Sequence, residues 1–238
     1  MAPTHTARVL SIMSKSEPDR WPNSSPPLSL ASARRLTLYL RCLEALRREG
    51  CPIVSSGQVG EALGISDAQV RKDIACLGNL GQPGIGYSTN ELVDAIRRAL
   101  GIDREWRAIV IGVGNLARAL LRYHGFQQQG FRLVALCDND AAKIGEVLEG
   151  LTIRPMEQLI EAVQETGAEL GILTVPAEAA QFAADRLVAA GIRGILNFAP
   201  VVLRVPPPVS LVAVDLAAQL EQLAFLVQWS RDRDGTTR

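Results

Sequence analysis

An unbroken apolar run, "AIVIGV" (108–113), leads directly into "GVGNLA" (112–117) and then "RALL". No other feature restricts the fold of this chain as much. β-Branched residues in a short continuous run, followed by glycines and a helical pattern, describe a buried strand turning sharply into a helix. The turn reads G-x-G-x-x-A and comprises Gly112, Val113, Gly114, Asn115, Leu116 and Ala117. Gly112 would allow the tight turn, Gly114 the close approach of a pyrophosphate, and Ala117 the packing of helix on sheet. The phosphates would rest on N–H groups of a helix beginning near Asn115. The next strand, "FRLVALCD", ends at Asp138, 24 residues after Gly114. A carboxylate there can accept the adenosine ribose hydroxyls, which favours NAD(H) over NADP(H). The alternative is an unliganded tight turn.

The rest of this half keeps the alternation. "ELGILTVP", "RGILNF" and "SLVAVD" read as strands, with "PMEQLIEAVQETG" and "PAEAAQFAADRLVAAG" as helices between them. Wholly apolar strands separated by helices imply a parallel sheet covered on both faces. The expected class is therefore α/β, a Rossmann-like doubly wound sheet.

The first hundred residues follow another pattern. Residues 1–30, ending in "RWPNSSPPLSL" around Trp21, are rich in Ser and Pro without apolar periodicity, and a disordered arm is expected. "RRLTLYLRCLEALRREG" places Leu36, Tyr39, Leu40, Leu43 and Leu46 on one helical face, with Gly50 as its stop. In "SSGQVGEALGISDAQVRKDIACLG", Ser55 with Gln58 and Ser66 with Gln69 read as capping boxes. Helices then begin near Ser56 and Asp67, joined by a tight turn at Gly64-Ile65, which is helix-turn-helix spacing. "GNLGQPGIGYS" reads as a small hairpin, and "STNELVDAIRRALG" as a helix capped by Ser88. Together these form a winged helix.

On the second of the paired helices, Val70, Ile74 and Leu77 face the core, while Gln69, Lys72 and Asp73 point away with Arg71 on the flank. Such a face suits a major groove: Arg71 and Lys72 can address phosphates or guanine, and Gln69 can address adenine. Ser55 and Ser56, at a helix start, could bind a phosphate. A solvated face carrying a basic pair is the plainer reading. Charge distribution agrees weakly with a polyanion partner, since residues 1–100 carry +3 and residues 101–238 carry −3.

Several classes drop out. No apolar run is long enough to span a membrane, and the N-terminus lacks the layout of a secretory signal. Cys42, Cys51, Cys76 and Cys137 are far apart, as expected for buried thiols in a reducing cytoplasm, and with only His5 and His124 a His-rich metal site is unsupported. Hydride transfer needs a proton donor or acceptor beside the nicotinamide. His5 lies in the arm, His124 ends a helix beside Tyr123, and no substrate domain is visible. Sensing fits better than turnover.

In order along the chain, "LYLRCL", "VSSGQVGEALGISDAQVRKD", "GIGY", "GNLARALLRYHGF", "LTVPAEAAQ" and "GILNFAPVVLRVP" resemble the Rex family of redox-sensing transcriptional repressors, over about residues 30–230. That resemblance implies a cytoplasmic homodimer that binds operator DNA and releases it when NADH occupies the Rossmann-like domain, with NAD+ competing for the site without releasing DNA well. It implies a winged-helix domain over 31–102, an NAD(H) domain over 103–214, and a C-terminal segment over 215–238 whose helix is exchanged between subunits. It also implies that Tyr123 lies by the nicotinamide, that Asp215 comes from the partner subunit, and that Arg41 pairs with that aspartate in one state. Thr174, Val175 and Pro176, with Asn197 and Phe198, would line the cofactor. From the residues alone, Tyr123 could be core, Asp215 a helix cap and Arg41 a solvated residue. Leu216, Leu220, Leu223 and Val227, at helical spacing, suit docking on a second subunit or an intramolecular face.

One departure stands out. The family's wing carries an arginine before its "G-V-G-Y" stretch, where this chain has Pro83, which has neither charge nor backbone donor. Two rivals remain: a nicotinamide- or CoA-binding enzyme subunit, and a winged helix whose DNA binding is lost or altered.

Overall fold

The computed structural model describes residues 28–82 and 84–235, the last four by backbone alone. His5, Trp21, Pro83 and most of the expected arm lie outside the described residues. The chain divides into two compact units after Asp103.

The first unit opens with α1 (Leu30–Arg48), capped by the Ser29 hydroxyl, which accepts from the Ser32 N–H. The helix therefore starts four residues earlier than "RRLTLYL" suggests, and Leu28 packs on the core rather than belonging to an arm. α2 (Ser56–Leu63) and α3 (Asp67–Ala75) follow, then α4 (Thr89–Leu100). Leu36, Tyr39, Leu40 and Leu43 of α1 pack with Val59, Val70, Ile74, Leu92, Val93 and Ile96 in one core. Removing each such aliphatic side chain from water is worth about 1.5–3 kcal/mol.

The Ser55 capping box forms in full, whereas only half of the one at Ser66 does. Ser66 accepts from the Gln69 N–H, but the Gln69 side chain turns to Asp73, whose carboxylate accepts from its amide nitrogen, so the return bond from the Ser66 N–H to the Gln69 amide oxygen is not made. The expected hairpin is also different. Gln82 and Gly86 form a single bridge, and β2 (Tyr87–Ser88) pairs antiparallel with β1 (Ile53–Val54), the strand between α1 and α2. The glycine-rich wing has too few side chains to hold a ladder of its own.

The second unit is a seven-stranded sheet ordered β5-β6-β4-β3-β7-β8-β9. Its strands are β3 (Trp106–Ile111), β4 (Phe131–Asp138), β5 (Val147–Leu148), β6 (Leu151–Pro155), β7 (Leu170–Leu173), β8 (Gly194–Asn197) and β9 (Ser210–Ala213). All neighbours are parallel except β5 and β6. These two were not expected, because "VLEGLTIRP" is short and interrupted by polar residues.

Side chains alternate between faces. Ala108 and Val110 pack with Ala117 of α5 (Asn115–Leu121), while Ile109 and Ile111 pack with α7 (Leu159–Thr166) and α8 (Ala177–Ala189). A short α6 (Gly125–Gln128) lies between α5 and β4, and α9 (Leu216–Gly235) closes the chain. From β3 the chain moves outward to β4 and β6, then crosses back to β7. The strand order reverses between β3 and β7, where doubly wound sheets leave a crevice at the carboxyl ends.

Candidate functional site

A cleft of about 440 Å³ occupies that crevice. Gly112, Gly114 and Leu116 line it from the β3–α5 turn, Asp138, Asn139 and Lys143 from the end of β4, Thr174 to Pro176 from the end of β7, and Phe198 from the end of β8.

The two glycines serve different ends. Gly112 has φ +86°, and a Cβ there would stand 2.5 Å from Val175 Cγ1 and 3.0 Å from the Thr174 carbonyl oxygen. The neighbouring loop imposes this glycine: the Thr174 hydroxyl donates to the Gly112 carbonyl at 2.6 Å, and its N–H donates to the Ile111 carbonyl. A Cβ on Gly114 would meet no atom within 4 Å. Nothing in the protein requires a glycine there, and the space in front of it suits a ligand's pyrophosphate.

Asp138 is buried, and both of its oxygens are engaged. Oδ1 accepts from the Asp140 N–H at 2.9 Å; Oδ2 accepts from the Val113 N–H at 2.7 Å and from Lys143 Nζ at 3.2 Å. Burial pushes its pKa up, but the N–H groups of Asp140 and Val113 and the Lys143 ammonium outweigh this and hold the carboxyl below its ordinary value. The carboxylate is thus ionised and ties the glycine turn to β4.

Not every expected residue lines the cleft. Val113, Ala117 and Asn197 are fully buried, and Asn115 is exposed at the start of α5. Val113 contributes its backbone N–H, and Ala117 its small size on the sheet. The Asn197 amide donates to the Ala199 and Val201 carbonyls and its oxygen accepts from the Ala199 N–H, so it braces the loop that presents Phe198. Met156, Ala179, Phe182 and Lys143 line the cleft without having been expected. Lys143 was legible as the basic residue five after Asp138; the others come from helix packing and carry no local signal.

The expected sensing residues lie outside the lining. Tyr123 is 55% exposed and stands edge-on to Phe126 at 5.1 Å. Asp215 caps α9, accepting from the Ala218 N–H at 3.0 Å. Arg41 is exposed on α1. Along α9, Leu216, Leu220, Leu223, Phe225, Leu226, Val227 and Trp229 are all exposed.

In the first unit a second cleft, of about 540 Å³, lies between α3, the start of α2 and the wing, lined by Ser55, Ser56, Arg71, Asn79, Gln82 and Tyr87 among others. Arg71 donates to Asp67 at 2.5 Å and to the Ser56 hydroxyl at 3.4 Å, and Lys72 is exposed. One expectation is overturned: Asp73 does not point away from the core. It is 2% exposed, because Arg35 and Tyr39 of α1 supply partners that outweigh the cost of removing its charge from water. Gln69, drawn toward it, is half-buried. Among the described residues, no group of three or more His, Cys, Asp or Glu could hold a metal, and no helix is long and apolar enough to cross a membrane.

Comparison with known proteins follows the same division. A family model described as a CoA binding domain matches residues 103–201, and one described as a putative DNA-binding protein N-terminus matches residues 28–75. The redox-sensing transcriptional repressor Rex of Carboxydothermus hydrogenoformans is 45% identical over 198 residues, covering 83% of this chain and 95% of that protein. Its counterpart in Streptomyces coelicolor is 44% identical over 195 residues, covering 82% of this chain and 76% of its own. Among solved structures, RSP in complex with β-NAD+ and operator DNA superposes with a TM-score of 0.82 at 33% identity, covering 88% of this chain and 97% of that one. RSP in complex with β-NADH gives 0.79 at 32% identity, covering 87% and 98%.

Proposed function

The chain belongs to the Rex family of redox-sensing transcriptional repressors, and we propose that its two units work as one switch, the cleft of the second deciding whether α2 and α3 of the first stay on operator DNA. It is an NADH-responsive repressor, not an enzyme, and its cofactor is NAD(H).

The observation that carries the assignment of the cleft is the juxtaposition of Gly114, open at its Cβ position, with the ionised Asp138 at the carboxyl ends of β3 and β4. The pyrophosphate would cross the Gly112–Gly114 turn, and the adenosine ribose would hydrogen-bond to Asp138. That carboxylate disfavours a 2′-phosphate and, by the same charge, the phosphorylated ribose of CoA. Thr174 to Pro176 and the Asn197-braced Phe198 loop would border the nicotinamide, with Tyr123 beside it. Bound NAD+ and NADH differ by one charge and by ring planarity. Asp215 of a partner subunit and Arg41 would feel that difference; a differential of about 3 kcal/mol is roughly a 150-fold change in relative affinity.

The apolar side chains left exposed along α9 favour a homodimer in which this helix docks on a second copy, and a repressor of transcription would act in the cytoplasm. Arg71 and Lys72 would enter the major groove, and Ser55 and Ser56 would approach a phosphate.

Titration of the RSP operator duplex by fluorescence anisotropy tests the reading. We expect saturable binding with a steep salt dependence, release by NADH, and protection from release when NAD+ is in excess. Binding that neither coenzyme alters would overturn the switch; a flat salt response would overturn the DNA face.

A further inference from the structure

Asp73 sits between Lys72 and the core residue Ile74, on the helix that carries Arg71. Helical geometry turns consecutive side chains by about 100°, so Lys72 can face solvent while Asp73 faces α1. Its carboxylate accepts four hydrogen bonds. Arg35 grips it with both arms, Nε to Oδ2 at 2.6 Å and Nη2 to Oδ1 at 2.7 Å; the Tyr39 hydroxyl donates to Oδ2 at 2.9 Å, and the Gln69 amide to Oδ1 at 3.1 Å. A carboxylate has about four lone-pair sites, and here all are filled. Arg35 Nη2 also reaches the Ser32 hydroxyl at 3.3 Å, which brings in the first turn of α1. No buried side-chain polar atom among the described residues lacks a partner.

An apolar contact between α1 and α3 would hold the helices together but permit sliding and rotation. A bidentate guanidinium–carboxylate pair flanked by two neutral donors has one geometry. Buried ion pairs are weak evidence for stability and serve better to specify a single arrangement. This one lies one residue from Lys72 and two from Arg71, where a small rotation of α3 would move those side chains off their bases or phosphates.

We propose that Asp73, gripped by Arg35 and Tyr39, is a positioning residue for DNA recognition, setting the rotation and height of α3 on α1 so that Arg71 and Lys72 meet the operator in register. The proposal rests on the reading of α3 as the DNA-recognition helix. Its contribution is to base discrimination more than to charge attraction, because non-specific binding tolerates a rotated helix and sequence-specific binding does not. Gln69 belongs to the same arrangement: bound to Asp73, its amide is fixed in direction beside the base-facing side chains. Asp73 is ionised in this role, since the paired Arg35 guanidinium, the foremost influence on it, holds its carboxyl below the ordinary value, and Tyr39, pushed up to about 12 chiefly by burial, remains a neutral donor.

The test compares the full chain with Asp73→Asn, Arg35→Lys and the double variant Arg35→Met with Asp73→Leu. Each is measured for its operator affinity, its affinity for a scrambled duplex, its melting temperature and its NADH affinity. The apolar double variant fills the same space without the ion pair and keeps the question answerable if Asp73→Asn does not fold. We expect the operator-to-scrambled affinity ratio to fall at least tenfold in Asp73→Asn and in the double variant, and less in Arg35→Lys, which keeps the charge but loses the fork. Scrambled-duplex and NADH affinities should stay within about twofold. A folded double variant with the native ratio would overturn the proposal. So would a loss of affinity that is equal on both duplexes. If the native chain itself does not distinguish the duplexes, the reading of α3 fails first.

Discussion

Asp138, at the end of β4, accepts a 2.7 Å hydrogen bond from the N–H of Val113 at the tip of the β3–α5 turn. The carboxylate that would face a ribose therefore also holds the phosphate-side turn. Asp138→Ala should lower NADH affinity at least tenfold, read by fluorescence titration; unchanged affinity would refute the ribose assignment. The pH dependence has a definite sign. Hydrogen bonds hold the folded-state pKa below its ordinary 3.8, so the stabilisation is complete above that value and is lost as pH falls through the lower, folded one. The stability difference between the native chain and Asp138→Asn should be flat from pH 7 to about 5 and shrink only in stronger acid. A difference that disappears near neutrality would contradict this.

The two glycines of the turn should part company on substitution. Gly112→Ala forces a side chain into Val175 and a residue with a Cβ into positive φ, and should lower the melting temperature by several degrees. Gly114→Ala meets only open space and should melt as the native chain does, yet bind NADH at least tenfold more weakly. Native NADH affinity in Gly114→Ala would show that the space before Gly114 is not a ligand seat.

Arg71→Ala with Lys72→Ala should abolish detectable operator binding at about 0.15 M salt and, by analogy with lost phosphate contacts, flatten the salt slope by roughly two ions. Intact binding would move the recognition surface elsewhere on the unit. The NADH affinity of the same variant should be native.

Leu220→Asp with Leu223→Asp places charge on the exposed apolar face of α9. Sedimentation velocity should then show a monomer, whereas the native chain is expected to run as a dimer. A persistent dimer would assign that face another role.

Cys137 is fully buried beside the glycine turn, and burial raises its thiol to about 11, with Arg154 pulling the other way. The thiolate is the reactive form. In the folded protein Cys137 should resist iodoacetamide at pH 7.5 while exposed Cys76 is alkylated, as mass spectrometry would show. Labelling of both at equal rates would contradict the burial.

Whatever depends on neighbours a few residues apart could be read from the residues in order. The apolar runs in the second unit defined five of its strands, and Ser55, Ser66 and Ser88 marked helix starts because capping is decided within one turn. The G-x-G-x-x-A turn and its position after a strand located the cleft at the carboxyl end of the sheet, and Asp138 was legible from its spacing alone. Which polar residues go inside was settled by the folded chain. Asp73 looks like one more solvated charge until Arg35, 38 residues away, is brought to it. Asn197 braces a loop whose carbonyls lie only two and four residues on, and it is its place at the end of a buried strand that puts it inside. Gly112 owes its identity to Thr174 and Val175 as much as to its own turn. Burial of a polar group is a balance between lost hydration and distant partners, and only assembly of the chain brings those partners into place.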